Sequence, residues 1–243
     1  MPGVTLVAAT SVAVQATVDA LHASMAQVDF GDVLLLSDLP PPQGASLKIR
    51  WRRIEPLRSR ADYSRFMLRE LGAHIETGHA LCVQWDGFVL NGSAWTPEFA
   101  KYDYIGAVWP QFHDGHNVGN GGFSLRSKRL LQACQSLPFD ADHSEDVIIG
   151  RICRPQLEGL GIRFAPEELA HRFAYERTAP SGGEFGFHGA FNLVRLLENR
   201  ASVALFSGLE RSMLARGERT EILFWALANG RLRLASEMLF RLL

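Results

Sequence analysis

Residues 80–92, ALCVQWDGFVLNG, open with a short apolar run (Ala80, Leu81, Cys82, Val83) that breaks abruptly into Gln84, Trp85, Asp86 and Gly87. The run is bounded by Gly78 and Gly87, so it reads as a buried strand with Asp86 just past its C-terminal end. In open α/β sheets the ligand crevice lies outside those ends. A carboxylate there can ligate a divalent cation or serve a phosphate site, and Gly87 lets the backbone approach a ligand closely. The same Asp-Gly pair also suits a plain turn, and this stretch alone leaves both readings open.

Other residue types with chemical potential are spread along the chain. Glu145 and Asp146 follow Ser144, which suits a helix N-cap with acidic residues in the first turn. His188 ends a Gly-rich turn, GGEFGFHG, as a ligand or as a structural histidine. Arg60 and Ser64, with Ser59, Tyr63 and Arg65, form a basic, hydroxyl-rich segment at a helix start; it reads as an anion site or as a solvated cap. Gly119, Gly121 and Gly122 fit neither the phosphate-loop motif nor the dinucleotide fingerprint, which excludes a P-loop ATPase and a dehydrogenase. They would let backbone pass close beneath a ligand.

Buried strands must position these groups. Residues 4–9 (VTLVAA) read as a first strand ending at Thr10 and Ser11, 13–26 as a helix, and 32–37 (DVLLLS) as a second strand closed by Asp38. This β-α-β pattern with apolar strands is that of a parallel sheet covered on both faces. Residues 47–54 alternate as a third strand, and a helix follows to about Glu76. Residues 93–99 suggest a helix start with Pro97 in its first turn, and 104–108 a fifth strand. Residues 123–125 then read as a strand, 128–135 as a helix, 144–160 as one helix and 162–165 as a strand. From Asn192 the pattern is helical, with Asn229-Gly230 as a turn. Apolar stripes (Leu223, Leu227; Leu232, Ala235, Met238, Leu239, Leu242) and eight Arg against five Glu from Arg195 onward suggest a docking hairpin.

Bulk composition narrows the classes. The 243 residues are 47% hydrophobic and 21% charged, with a formal net charge of −1, which argues against nucleic acid as the partner. Cys82, Cys134 and Cys153 lie in apolar runs without metal-ligand spacing, as buried reduced thiols do. The N-terminus lacks a signal peptide's basic region, and no apolar stretch approaches membrane-spanning length. The expected location is cytoplasmic, with peripheral membrane contact open.

Gln84-Trp85-Asp86-Gly87-Phe88, Tyr102-Asp103-Tyr104-Ile105-Gly106-Ala107 and Gly119-Asn120-Gly121-Gly122-Phe123-Ser124-Leu125-Arg126 together resemble the GT-A class of nucleotide-sugar glycosyltransferases. More closely, they resemble a bacterial family of uncharacterised GT-A-like domains marked by QWDGF and VGNGGFSLRS. The resemblance implies a GT-A-like α/β domain over residues 1–190, with a mostly parallel sheet flanked by helices, and a helical appendage over 191–243.

It also implies roles. GT-A enzymes carry an acidic motif, usually Asp-x-Asp, whose last Asp binds a divalent cation bridging the donor diphosphate. Asp86 holds that place, with Trp85 inside the motif, while Gln84 departs from the first Asp. His188 looks like the further metal ligand, so Asp86 and His188 are the expected metal pair for Mn²⁺ or Mg²⁺. Asp146, with Glu145 second, resembles the catalytic base of inverting members. Gly121 and Gly122 resemble the segment beneath the donor sugar, and Thr10, Ser11 and Asp38 fall where the nucleoside is held. Arg60 and Ser64 would add to the donor site. The implied activity is metal-assisted transfer of a sugar from a nucleotide-sugar donor to a hydroxyl acceptor, in surface polysaccharide or lipopolysaccharide synthesis. The alternatives are a non-catalytic nucleotide-sugar-binding scaffold, which Gln84 permits, and a metal-dependent hydrolase. A peripheral-membrane or homo-oligomer contact is expected of the C-terminal helices.

Overall fold

The computed structural model describes residues 1–243, which divide into two compact units, Met1–His188 and Gly189–Leu243. The first unit is built on strands β1 (Val4–Ala9), β2 (Asp32–Ser37), β3 (Arg50–Arg53), β4 (His79–Val83), β5 (Tyr104–Ile105) and β6 (Phe123–Ser127). They form one six-stranded sheet in the order β3-β2-β1-β4-β6-β5. β3, β2, β1 and β4 run parallel; β6 runs antiparallel to both β4 and β5. The fold is thus a mostly parallel α/β sheet flanked by helices.

Period-two alternation divides each central strand between two cores. Leu6 and Ala8 of β1 pack with Val33 and Leu35 on one face, beside Val18 and Leu21 of helix α1 (Val14–Gln27). Val7 and Ala9 pack with Leu34 and Leu36 on the other, against Phe66 and Met67 of α2 (Arg60–Arg69) and Leu71 of α3 (Leu71–His74). All six residues of β1 are buried, as covered parallel strands require.

The chain runs β1, β2, β3 outward on one side and then crosses to β4 on the other side of β1. The order therefore reverses between β1 and β4, and ligand crevices form at such a switch point. The antiparallel pairing sets Val83 of β4 opposite Phe123 of β6, which delivers the loop 119–122 to the same sheet end as Gln84–Asp86.

Several expected elements are shorter or broken. The strand expected over 47–54 is only β3, and Leu47 is fully exposed. Two 3₁₀ turns, Gly92–Ala94 and Phe99–Lys101, replace the helix start expected over 93–99; the side chain of Asn91 turns back to accept from Ser93 N at 3.1 Å. The strand expected over 104–108 ends at Ile105, with Val108 bridged alone to Val118. The helix expected over 144–160 divides into α5 (Glu145–Val147), a π turn (Ile148–Ile152) and α6 (Arg154–Gly159). Pro155 accounts for the break before α6, because it lacks an N–H and is tolerated only in a helix's first turn. Residues 162–165 contribute a single bridge, Phe164 to Tyr104.

Helix α4 (Lys128–Cys134) follows β6, and α7 (Glu167–Phe173) leads into a parallel pair, β7 (Ala174–Tyr175) with β8 (Gly186–Phe187). All three cysteines are free and buried.

The second unit contains α8 (Ala190–Leu196), α9 (Asn199–Gly208), α10 (Arg216–Ala228) and α11 (Leu232–Leu242). Ile222 and Ala226 of α10 are buried, as are Leu234, Ala235 and Met238 of α11. The expected α11 stripe divides: Ala235 and Met238 face inward, Leu242 is half-buried, and Leu232 and Leu239 stay exposed. No helix in either unit is long and apolar enough to cross a membrane.

Candidate active site at the end of strand β4

Thr10 and Ser11 follow β1, Asp38 follows β2, and Gln84, Trp85 and Asp86 follow β4, so all six stand past the C-terminal ends of parallel strands. His188 arrives from β8. Val89 bridges to Gly186, and Leu90 N bonds to Phe185 O at 2.9 Å, so the chain after Asp86 is zipped to the chain before His188. Gly87 is required at this seam: a Cβ there would lie 2.7 Å from Phe187 O and 3.3 Å from His188 Cα.

The zipper sets Asp86 Oδ1 3.3 Å from His188 Nε2. Gln84 Oε1 lies 3.2 Å from the same nitrogen. The amide orientation is fixed from its other end, where Gln84 Nε2 donates to Tyr63 Oη at 2.9 Å. On the opposite edge of the ring, Nδ1 lies 3.2 Å from Glu176 Oε1 and 3.2 Å from Asn120 Nδ2. Burial works against a charged imidazole, but the Asp86 and Glu176 carboxylates outweigh it and hold His188 well above its usual value. Asp86 is itself buried, and its Oδ1 makes no well-formed hydrogen bond.

The loop 119–122 is shaped around that ring. Asn120 takes a left-handed backbone conformation (φ 73°), and its Oδ1 accepts from Gly122 N at 2.9 Å and Phe123 N at 3.2 Å. Gly122 is pressed against the imidazole, since a Cβ there would sit 2.0 Å from His188 Nε2. Beneath Gly121, the buried Glu145 accepts from Arg126 Nη2 at 2.9 Å, and Arg126 Nε donates to Ser124 Oγ at 3.0 Å. Burial and then Asp146 push the Glu145 carboxyl up, while Arg126 pulls it down. Asp146 clasps the same loop from its rim. Its Oδ2 accepts from Gly121 N at 3.0 Å, and its Oδ1 accepts from Val147 N at 2.8 Å and from Ser144 Oγ.

The remaining expected residues are placed as follows. Thr10 Oγ1 turns back to its own loop, accepting from Val12 N at 3.1 Å, and Ser11 Oγ accepts from Leu57 N at 2.7 Å. Asp38 Oδ1 and Ser64 Oγ are buried without partners. Arg60 is exposed and donates to Asp142 O at 2.9 Å, and Arg65 pairs with Asp62 at 3.2 Å. The first turn of α2 takes its own anion, Asp62, which accepts from the Ser59 cap. The structure thus gathers Gln84, Asp86, Gly122 and His188 at one point, and leaves Arg60 and Glu145 in contacts of their own.

Sequence reasoning missed Glu176 and Asn120. Asn120 carried a signal, an Asn among glycines where a left-handed turn is expected. Glu176 carried none, because its meeting with His188 depends on the pairing of β7 with β8.

His, Cys, Asp and Glu side chains do not gather in threes around any common point. The donor set nonetheless has the chemistry a divalent cation takes once Gln84 is counted: an imidazole nitrogen with two side-chain oxygens beside it, at 3.2 and 3.3 Å, one of them the buried Oδ1 of Asp86. Glu176 stands on Nδ1, the ring edge from which a carboxylate commonly orients a histidine.

Among solved structures, the chain resembles a crystal structure of the galactosyltransferase LgtC in complex with donor and acceptor sugar analogues. The TM-score is 0.51 at 14% identity, over 76% of this chain and 86% of that one. A structure of an LgtC active-site mutant scores 0.45 at 12% identity, over the same shares of 76% and 86%. The first likeness supports a GT-A-like fold. No curated protein sequence matches the chain. A protein-family model does match, over residues 47–188, from Leu47 through Asp86, the loop at Asn120 and Glu176 to His188 itself; the chain belongs to that family, described as a protein of unknown function, DUF5672.

Proposed function

We propose that this protein is a glycosyltransferase that moves a sugar from a nucleotide-sugar donor to a hydroxyl acceptor, with a divalent cation (Mn²⁺ or Mg²⁺) held by Asp86, His188 and Gln84. The observation that carries the reading is the meeting of Asp86 Oδ1 and Gln84 Oε1 on His188 Nε2 at the sheet's switch point. Gln84 keeps the oxygen donor that the usual first Asp would provide and gives up one negative charge. Oxygen and imidazole donors suit these metals.

In the transfer, the bond between the sugar's anomeric carbon and the diphosphate oxygen breaks, and its electron pair leaves with the diphosphate. The acceptor oxygen bonds to that carbon, and its proton passes to a carboxylate. When bound, the cation would neutralise charge on the leaving diphosphate. The protein's own residues orient the participants. Glu176 fixes the ring of His188 from its far edge by accepting from Nδ1, Asn120 packs beside that edge, and Gly122 leaves room for the ring. Thr10, Ser11 and Asp38 border the nucleoside end, with the unpartnered Asp38 Oδ1 as a hydrogen-bond acceptor there.

Asp146 is the proposed base of an inverting transfer. It is half-buried and accepts three hydrogen bonds of the roughly four a carboxylate can take. Asp146→Asn should lower the single-turnover rate by about two orders of magnitude with donor affinity little changed. An unchanged rate removes Asp146 from the chemistry and leaves it as a loop clasp.

Thermal shift with a panel of nucleotide-sugars, with and without Mn²⁺, tests the reading itself. A true donor at a hundred times its dissociation constant should add roughly 2.7 kcal/mol of stability. That gain should require Mn²⁺ and vanish in Asp86→Asn, whose ligand-free melting temperature stays near the parent's. If no nucleotide-sugar gives a Mn²⁺-dependent shift, the proposal fails.

A further inference from the structure

A second cavity of about 380 Å³ opens between the segment around residues 108–117 and helix α7. It lies within the first unit and near the candidate site by chain connection. Asn117, on its wall, precedes Asn120 by three residues, and Thr178, also on its wall, follows Glu176 by two. Asn120 and Glu176 are the two residues on Nδ1 of His188. At no more than about 3.8 Å per residue between successive Cα atoms, both walls start within roughly 8–12 Å of residues that touch that ring.

The lining has two characters. Val108, Pro110 and Phe112 give it an apolar side. The rest of the lining carries hydrogen-bonding groups. Glu167 Oε2 accepts from Asn117 Nδ2 at 2.8 Å, and its Oε1 lies 3.5 Å from His171 Nε2. The Asn117 amide first, and then His171 and His113, hold the Glu167 carboxyl below its usual range, so it is an acceptor at neutral pH. Thr178 contributes a buried hydroxyl oxygen with no partner. No lysine or arginine lines the space.

This combination has a definite ligand chemistry. A pyranose ring presents a C–H face to an apolar wall and hydroxyls, both donors and acceptors, around its rim. Glu167 takes hydroxyl protons, the imidazoles and Thr178 can donate or accept, and the apolar side receives the ring face. A phosphorylated or carboxylated sugar would instead set its anion beside the Glu167 carboxylate, a like-charge contact that a neutral ring avoids. The volume is in the range of small-molecule sites.

We infer that this cavity binds an uncharged, polyhydroxylated sugar ring and is the acceptor subsite of the transferase. Its role as an acceptor site rests on the function proposed above; its binding of a neutral sugar does not.

The experiment uses the full chain and defined probes: methyl β-D-glucopyranoside and methyl β-D-galactopyranoside as neutral rings, and glucose 6-phosphate as the charged counterpart. Binding is followed by ligand-observed NMR, with donor-site binding followed separately by Mn²⁺-dependent thermal shift. At least one methyl glycoside should bind, and the phosphate ester at least about tenfold more weakly, as a like-charge contact with Glu167 requires. Glu167→Gln and the near-isosteric Thr178→Val should each weaken glycoside binding by about fivefold or more, the scale of one lost hydrogen bond. Both should leave the melting temperature and the donor-site shift in place, which separates loss of a contact from loss of the fold. Glycoside binding without any donor-site shift would sink the transferase reading and sustain the sugar site. No glycoside binding, binding indifferent to both variants, or preference for glucose 6-phosphate overturns the inference. So does stoichiometric Zn²⁺ uptake lost in His171→Ala, which would make His113, Glu167 and His171 a metal site instead.

Discussion

Glu145 and Asp86 are both buried carboxylates, one beside the Arg126 guanidinium and the other beside the His188 imidazole, yet their surroundings differ. Glu145 sits 2.9 Å from Arg126, which is fully buried, also bonds Ser124, and lies over the ring of Tyr104. That pair fills the space beneath Gly121, where a Cβ would meet Glu145 Oε1 at 2.1 Å. Asp86 approaches His188 at 3.3 Å without a well-formed bond, next to a glycine-lined loop. Leaving a buried acceptor unmade costs about 1–3 kcal/mol. A carboxylate that is paired and packed supports the loop above it, whereas one kept short of partners is ready for a ligand. Exposure alone, 3% for Glu145 and 6% for Asp86, would not separate them; the state of their hydrogen bonds does.

The largest effect expected from this contrast is on stability. Glu145→Ala leaves the Arg126 charge buried and unpaired, which should cost about 3–5 kcal/mol. For a unit of this size, that is a fall in melting temperature of roughly 10 °C. Adding Arg126→Met should recover part of the loss, because the stranded charge goes with it. Thermal unfolding of both variants beside Asp86→Asn checks the comparison. Equal falls for Glu145→Ala and Asp86→Asn would show that both carboxylates are structural.

Gly122→Ala acts on the open site directly. Its Cβ would sit 2.0 Å from His188 Nε2, so the ring or the loop has to move. Mn²⁺-dependent nucleotide binding should weaken by about 100-fold or more, beyond the 10–100-fold typical of losing an outer partner of a metal ligand. Isothermal titration in the presence of Mn²⁺ reads this, and parent-like affinity would place the cation elsewhere.

The parts of the molecule that were legible in the sequence are those whose determinants are local. Residues 4–9 and 32–37 are continuous apolar runs, and both became strands buried along nearly their whole length. Asp86 announced itself by following such a run, and His188 by its glycine-rich approach. What escaped is set by pairings distant in sequence. Gln84 reads as a lost carboxylate until Tyr63 is seen to turn its amide so that the oxygen faces His188. Glu176 lies 12 positions from His188 in a polar stretch, and only the register of Tyr175 with Phe187 brings them together. Glu145 and Asp146 look alike as first-turn acids, but one is buried on Arg126 and the other is half-buried at the loop rim, accepting from Gly121 N. Pro155, in the first turn of α6, is a local signal for a break in the helix expected over 144–160.

The smallest expected effect tests whether the start of α2 belongs with the closed region or the open one. Ser59 Oγ accepts from Asp62 N at 3.0 Å and donates to Asp62 Oδ2 at 2.9 Å, so this helix end already has a cap and an anion. Asp62 is held below its usual range chiefly by Ser59. Ser59→Ala should therefore cost about 1 kcal/mol, the usual price of a lost N-cap, or roughly 2–4 °C in melting temperature. Arg60 reaches only the Asp142 carbonyl from an exposed position, and Arg60→Ala should change stability by no more than about 0.5 kcal/mol. If the donor phosphates lie at Asp86 and His188, neither variant changes nucleotide affinity by more than about twofold, since the helix end has no free role to lose. A loss of about tenfold or more in both, with Mn²⁺ still bound, would put the phosphates at α2 and make its self-supplied Asp62 a stand-in for them. Titrating a nucleoside diphosphate into the two variants at fixed Mn²⁺ separates these outcomes, because the cap predicts a change in melting temperature alone and the phosphate site a change in affinity.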